Sequence, residues 1–457
     1  MAKTRTRDMT SGPIAKQIVL FALPLMLGNI FQMLYNTVDS VVVGKFVGTQ
    51  ALAAIGNTTL ITNMAVFFFN GFAIGAGVVV GRFFGARKLD DLHRAVETIF
   101  SVTFILGVVF TIAGYFGQNF LLRMMSTPDD VFPQAETYLK IYFLGVAGLL
   151  IYNIGAGILQ AVGDSTRPLY FLILTSLLNI VLDLVFVVVF KWGIAGAAWA
   201  TIFSQFVSAA AVMILLIRTK DIYRFRFRDM TIDKDILKEI LSIGLPAAVQ
   251  SSITAFSNIF VQAYVNYFGS VIMAGWAAYN KLNQFVMLPM QTMAMAATTF
   301  VSQNMGAENP MRANKGTRTS LIITELFTFC VITVVVLLAP YATSMFTNDP
   351  AVIQYGSDFL RLNMYFLLFN CINHVLAGAL RGRGDSRAPM MIMLLCFVAL
   401  RQVYLFVMTR FISNTYLTVA FGYPMGWMSC CVIELLYYYF HWSKKEKALT
   451  KDKTETE

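Results

Sequence analysis

Charge is what this 457-residue chain has least of. Only 13% of its residues are Asp, Glu, Lys or Arg, against 57% hydrophobic. A soluble domain carries about a quarter charged residues, so no large soluble domain is expected. The five cysteines, Cys330, Cys371, Cys396, Cys430 and Cys431, all lie in apolar stretches of the second half, without metal-ligand spacing or pairing in loops. They read as small apolar filler, which argues against a zinc site and a disulfide framework. No Gly-x-x-x-x-Gly-Lys-Ser/Thr phosphate loop occurs, so direct drive by ATP is not expected. Acidic residues are outnumbered, 25 against 35 basic ones. The basic residues only flank apolar runs, however, and no nucleic-acid partner is expected.

Long apolar sequence is what the chain has in quantity. Twelve runs, at about 14–46, 51–82, 95–119, 136–161, 167–190, 194–217, 237–267, 272–303, 316–340, 354–380, 389–411 and 415–441, are long enough to cross a bilayer as helices. The first follows basic residues as a signal peptide would. It runs past signal-peptide length with no small-residue cleavage site before Asp39, and reads as a retained span. An even number of spans puts both termini on one side. That side holds 27 of the 35 Lys and Arg and is therefore read as cytoplasmic.

The chain also repeats itself. Ala156-Gly157-Ile158-Leu159-Gln160-Ala161-Val162-Gly163-Asp164-Ser165-Thr166-Arg167-Pro168 returns 221 residues later as Ala377-Gly378-Ala379-Leu380-Arg381-Gly382-Arg383-Gly384-Asp385-Ser386-Arg387-Ala388-Pro389, with seven of 13 positions identical. Leu23-Pro24 and Leu245-Pro246, and Gly85-Ala86 and Gly306-Ala307, match at nearly the same offset. The expected fold is an all-α membrane protein of 12 transmembrane helices in two pseudo-symmetric six-helix lobes, the architecture of a transporter. The expected divisions are a cytoplasmic start at 1–13, an amino-terminal lobe at 14–217, a cytoplasmic linker at 218–236, a carboxy-terminal lobe at 237–441 and a cytoplasmic tail at 442–457. The linker run Tyr223-Arg224-Phe225-Arg226-Phe227-Arg228 alternates aromatic and basic residues, as a loop lying on anionic headgroups would. Lys444–Glu457 reads as disordered. Pro24 and Pro246 kink equivalent spans, as hinges or as inherited bends. The glycines of Gly71–Gly77 and Gly155–Gly157 suit close helix packing.

Ionisable residues inside a membrane are costly and mark functional sites. Asp39, Asp183 and Thr201 each fall seven residues from the outer end of a span, about 10 Å deep at 1.5 Å per residue. Asn179 is one turn before Asp183 on the same face. Two carboxylates, an amide and a hydroxyl at one depth form a candidate oxygen cage for Na⁺ or a proton-accepting pair. The polar stripe Gln32–Tyr35–Asn36–Asp39 should face the bundle interior. The second half does not copy the cage: Phe260, Val261 and Tyr404 stand at the equivalent places. Arg401 and Lys281 are expected either to pair within the second bundle or to attract anionic groups of a substrate. Glu325 and Glu434 are expected in local pairs, and His374 in the core. Met287 and Met290, with Phe285, Met293 and Met295 around Pro289, offer soft surfaces that accept many shapes.

Together these features resemble the multidrug and toxic compound extrusion (MATE) family over about residues 14–440. The carrying elements are Leu23-Pro24 through Asp39-Ser40, the paired Gly-Asp-Ser turns, and Asn179, Asp183 and Thr201. The resemblance implies inner-membrane antiporters that expel amphipathic compounds, often cationic, in exchange for Na⁺ or H⁺. It implies two lobes with alternating access and no cofactor beyond the coupling ion. The DinF-like branch implies a cation site at Asp39, Asn179, Asp183 and Thr201, bending at Pro24, and substrate contacts at Gln32, Tyr35 and Asn153. The acids that the NorM-like branch uses in helices 7 and 10 are missing here. The expected protein is thus a monomeric, multi-pass transporter of the prokaryotic plasma membrane, not an enzyme, with small amphipathic substrates and lipids as partners. A flippase for lipid-linked precursors is the alternative, with Arg401 and Lys281 receiving a phosphate. An intramembrane aspartyl protease would need Gly382-Arg383-Gly384-Asp385 to be catalytic, but a repeated turn at a helix end is structural.

Overall fold

The computed structural model describes residues 6–443, apart from the side chains of Thr49, Leu60 and Ser443. The tail Lys444–Glu457, expected to be disordered, lies outside them. Among the described residues there is no strand, and twelve helices are long and apolar enough to span a membrane. They are α1 Ile14–Phe46, α2 Gln50–Gly85, α3 Leu89–Met124, α4 Phe132–Ala161, α5 Thr166–Val189, α6 Ile194–Arg218, α7 Lys234–Asn266, α8 Ser270–Gly306, α9 Pro310–Leu337, α10 Pro350–Gly382, α11 Arg387–Ile412 and α12 Tyr416–Trp442. Every sequence-derived span is present, and the ends differ by a few residues. The largest extension is at α3, whose first turn carries Asp90 and Asp91. Acids there complement the helix dipole, so the helix continues past the apolar run.

The repeated phrase is a helix-to-helix turn. Gly163 and Gly384 adopt φ of 85° and 88°, the left-handed conformation that ends a helix at little cost only for glycine. The next residue then caps the following helix, which begins at Thr166 or Arg387. Asp164 Oδ1 accepts the amides of Thr166 and Arg167 at 3.1 Å, and Asp385 Oδ1 accepts the amide of Ala388 at 3.2 Å. Asp385 is further held by the Tyr437 hydroxyl at 2.6 Å. An aspartate committed to capping and to a phenol is not poised for proteolysis.

The described residues form two compact units, one of 6–8 and 23–248 and the other of 9–22 and 249–443. In the first, α4 packs on α2, α3 and α6; in the second its repeat equivalent α10 packs on α8, α9 and α12. The units are not divided at 218–236, as the sequence boundaries have it. The first half of α7 belongs to the first unit and the start of α1 to the second, and the boundaries fall beside Pro24 and Pro246.

Glycine explains the placement of α7. A Cβ on Gly75 would lie 2.9 Å from Gly244 N and 3.0 Å from Gly244 Cα, and one on Gly71 would lie 2.6 Å from Gly244 O. Backbones approach this closely only where side chains are absent. Arg82 of α2 and Glu239 of α7 add an ion pair. In the second unit the segment before α1 is folded down. Met9 is fully buried. Its amide donates to Gln303 Oε1 at 2.9 Å, and its carbonyl accepts from Asn304 Nδ2 at 3.2 Å.

The linker corrects a sequence expectation. Tyr223 and Phe225 are buried in the core of the first unit, not spread on headgroups. Phe225 packs on Phe100, ring centroids 4.7 Å apart. The Tyr223 hydroxyl donates to Asp221 Oδ2 at 2.8 Å and accepts from Arg167 Nη1 at 3.0 Å. Burial, with Asp221 alongside, pushes this phenol up to about 12, so it remains a neutral donor at ordinary pH. In this run Tyr223 and Phe225 turn inward and the arginines outward, while Phe227 stays exposed.

Candidate functional site: a buried acid pair in the amino-terminal lobe

Asp39 lies on α1 and Asp183 on α5, at the last residue of its α-helical part. Directly after it, α5 widens into a π-helical stretch, Leu184–Val189, a distortion common at functional sites. Asp183 is 0% exposed and Asn179 is also buried. Neither Asp183 oxygen, neither polar atom of Asn179, and not Asp39 Oδ1 has a hydrogen-bond partner. The two carboxyls nonetheless lie against each other at hydrogen-bonding range. The two facts agree once the proton is considered. Two carboxylates only accept, so neither satisfies the other; a single proton between them makes a hydrogen bond. Like charges this close in a dry setting call for a proton or a small cation.

Helix α4 supplies neighbours that sequence reasoning missed. Tyr138 lies close to both acids and to Tyr35, and its ring stacks on Tyr142 with centroids 6.2 Å apart. The i, i+4 tyrosine pair is visible in the sequence but does not by itself mark a site. Tyr35 bonds with Gln32 on α1 and also lies close to both acids. Gln32 and Asn36 are exposed, while Asn153 and Thr201 are half-buried. The Thr201 hydroxyl donates to Ala197 O on its own helix at 3.1 Å, which leaves its oxygen lone pair as a ligand.

The second unit departs from expectation. Arg401 is 1% exposed, so it is not a free contact for cargo. Its Nη1 donates to Ser257 Oγ at 3.2 Å and Asn258 Oδ1 at 3.3 Å on α7. Its guanidinium is sandwiched between the rings of Phe397 and Tyr423, at 4.6 and 4.7 Å. A delocalised cation held by aromatic faces needs no carboxylate. Arg401 thus ties α11 to α7 where the acid pair ties α5 to α1, and it too follows a π-helical stretch, Leu394–Leu400. Lys281 is not its partner; it is exposed and lies over the Phe346 ring at 5.5 Å. Met290, suggested for substrate, is fully buried in the core, while Met287 is half-buried. Glu434 and Glu325 form no ion pair among the described residues. Glu434 is buried with both oxygens unbonded, and Glu325 meets the Cys371 thiol. His374 is half-buried.

Arg401→Ala is expected to destabilise the second unit by about 2–4 kcal/mol, through two lost charge-assisted hydrogen bonds and two lost ring contacts. Thermal melting of the full chain in detergent checks this. Lys281→Ala serves as the exposed control and should stay within about 0.5 kcal/mol.

Comparison with known proteins agrees with this architecture. The MatE family model matches the chain twice, at residues 24–185 and 246–407. A probable multidrug resistance protein of Bacillus subtilis (strain 168), YpnP, is 28% identical over 435 residues, 95% of this chain and 97% of its own length. The multidrug export protein MepA of Staphylococcus aureus (strain bovine RF122 / ET3-1) is 23% identical over 410 residues, 88% of this chain and 89% of its own. Among solved structures, a MATE protein in its bent conformation superposes with a TM-score of 0.92 at 23% identity, covering 98% of this chain and 99% of its own. Two family matches in tandem, one on each half of a duplicated twelve-helix membrane protein, establish that the chain belongs to the MATE family.

Proposed function

We propose that this protein is a cation-coupled exporter of amphipathic, often cationic, small molecules, working by alternating access in the prokaryotic plasma membrane with both termini in the cytoplasm. The observation that carries the reading is the contact of half-buried Asp39 with fully buried Asp183, with no hydrogen bond reaching either Asp183 oxygen or Asp39 Oδ1. Such a pair alternates between a compensated state, holding H⁺ or Na⁺, and an uncompensated state that is costly unless another cation is present. A cationic substrate approaching along the open polar side chains of α1, Gln32 and Asn36, supplies that charge. Ion and cargo then compete for one negative site, which is the requirement for exchange. The oxygen donors of Asn179 and Thr201 suit Na⁺, and the bare carboxyl pair suits H⁺. The multidrug names of the two relatives support the substrate class.

The flippase reading leaned on Arg401 and Lys281 as receivers of a phosphate. With Arg401 enclosed by Phe397 and Tyr423 and Lys281 lying over Phe346, that support is gone.

The test is efflux of a cationic dye by the purified full chain in proteoliposomes, under a pure Na⁺ gradient and then a pure pH gradient. Uphill dye movement is expected under at least one. Movement under neither overturns the reading, and movement only down the dye's own gradient makes the protein a passive pore.

A further inference from the structure

The geometry points to a divalent transition-metal site, of the Zn²⁺ class, that fastens the linker between the lobes to the cytoplasmic end of α3. Its ligands are His93 and Glu97 on α3 and Asp229 in the linker. One nitrogen or oxygen from each lies within 4.8 Å of the other two.

The cluster has a ligand's chemistry and a ligand's placement. His93 and Glu97 are four residues apart and share one helix face. The imidazole Nε2 stands 2.9 Å from Glu97 Oε1. That contact is nevertheless not a directed hydrogen bond, because Oε1 is buried and has no hydrogen-bond partner. Glu97 is itself 5% exposed. A buried carboxylate oxygen with an imidazole nitrogen beside it, and no donor aimed at it, is what two ligands converging on a third body look like. Metal–ligand bonds of about 2.0–2.2 Å put neighbouring ligands roughly 3.3 Å apart. The pair on α3 is already near that spacing, and Asp229 needs only a rotamer-sized approach.

The surroundings fit. The Thr231 side chain bonds to Glu97, the outer-shell support that holds a ligating carboxylate in place. Asp229 ends a short 3-10 turn, Phe227–Asp229. That turn is seated by Phe227, whose ring stacks on Phe104 at 6.0 Å. Arg226 is the competing cation, 3.6 Å from Asp229 Oδ2. It is exposed and touches one oxygen, which leaves the other for the metal. One imidazole and two carboxylates select Zn²⁺ and its first-row neighbours over Mg²⁺, with water completing the shell.

The test is equilibrium binding of Zn²⁺ to the full chain in detergent after chelator treatment, with trypsin cleavage at Arg224, Arg226 and Arg228 as a second readout. One ion per chain is expected, with cleavage of the linker slowed when it binds. His93→Ala and Asp229→Asn should each weaken binding at least ~10-fold and remove the protection. Asp229→Asn, in the linker and isosteric, is the variant that keeps the fold, confirmed by an unchanged gel-filtration profile. Binding to the double variant as tight as to the parent chain, or bound Zn²⁺ that leaves cleavage unchanged, overturns the proposal. Because dye efflux is not the readout, the result is independent of the transport reading.

Discussion

Asp183→Asn is expected to reduce gradient-driven dye efflux to the leak rate, a loss of at least ~100-fold, the scale of removing an essential proton-transfer group, while the protein still folds. Asparagine keeps the shape of aspartate and loses its charge. Asp183 is buried beside Asp39 with both oxygens unpartnered. In the variant the new amide donates to the Asp39 carboxylate, so the pair is satisfied without an ion and has nothing left to exchange. Stability should hold or rise, because one of two like charges in a dry site has been removed. That combination separates a coupling role from a structural one. A structural acid would lose melting temperature along with transport; a coupling acid loses transport alone. Asp39→Asn should behave alike. Retention of full coupled efflux by both variants would remove the ion site from this pair.

The second large effect concerns packing. Gly75→Ala is expected to destabilise the first unit by at least ~3 kcal/mol, the upper end of overpacking costs. A Cβ there meets the backbone of α7 at Ile240 O, at Gly244 N, 2.9 Å away, and at Gly244 Cα, 3.0 Å away. Backbone cannot rotate aside as a side chain can, so the helices must separate. Alanine is favoured over glycine within a helix by about 1 kcal/mol, and the expected loss exceeds that gain. Gly56→Ala on the same helix is the control, since nothing lies within 4 Å of its Cβ position; it should be neutral or mildly stabilising. Thermal melting of the two variants in detergent reads the difference. Equal melting temperatures would mean that α2 and α7 do not need their close approach.

The two acids were legible for a simple reason. A charge in an apolar run stands out, and 1.5 Å per residue turns sequence position into depth. Tyr138 was not legible, because a tyrosine in an apolar helix is an ordinary residue until a neighbouring helix turns its acid toward it. Arg401 shows the same limit from the other side. Its charge was visible, but its enclosure by Phe397, Tyr423 and α7 depends on helix rotation and crossing. Membrane helices encode those weakly, since lipid-facing and core-facing residues are equally apolar. Tyr223 and Phe225 were misread as headgroup anchors for a related reason: alternation reports two faces without saying what covers the inner one.

Local chemistry was enough to determine the twelve spans, their duplication, the turns built on Gly163-Asp164 and Gly384-Asp385, and the residues Asp39 and Asp183 as the charges that need a reason. Each of these is a property of one segment and its solvent, water or lipid. Only the tertiary structure decided that the two carboxyls touch, that Met290 and Arg401 are interior, and that α1 and α7 each change units beside a proline. These are relations between segments far apart in the chain. They are set by where glycine permits backbones to meet and by which side chains then find partners, and no single stretch of sequence contains that information.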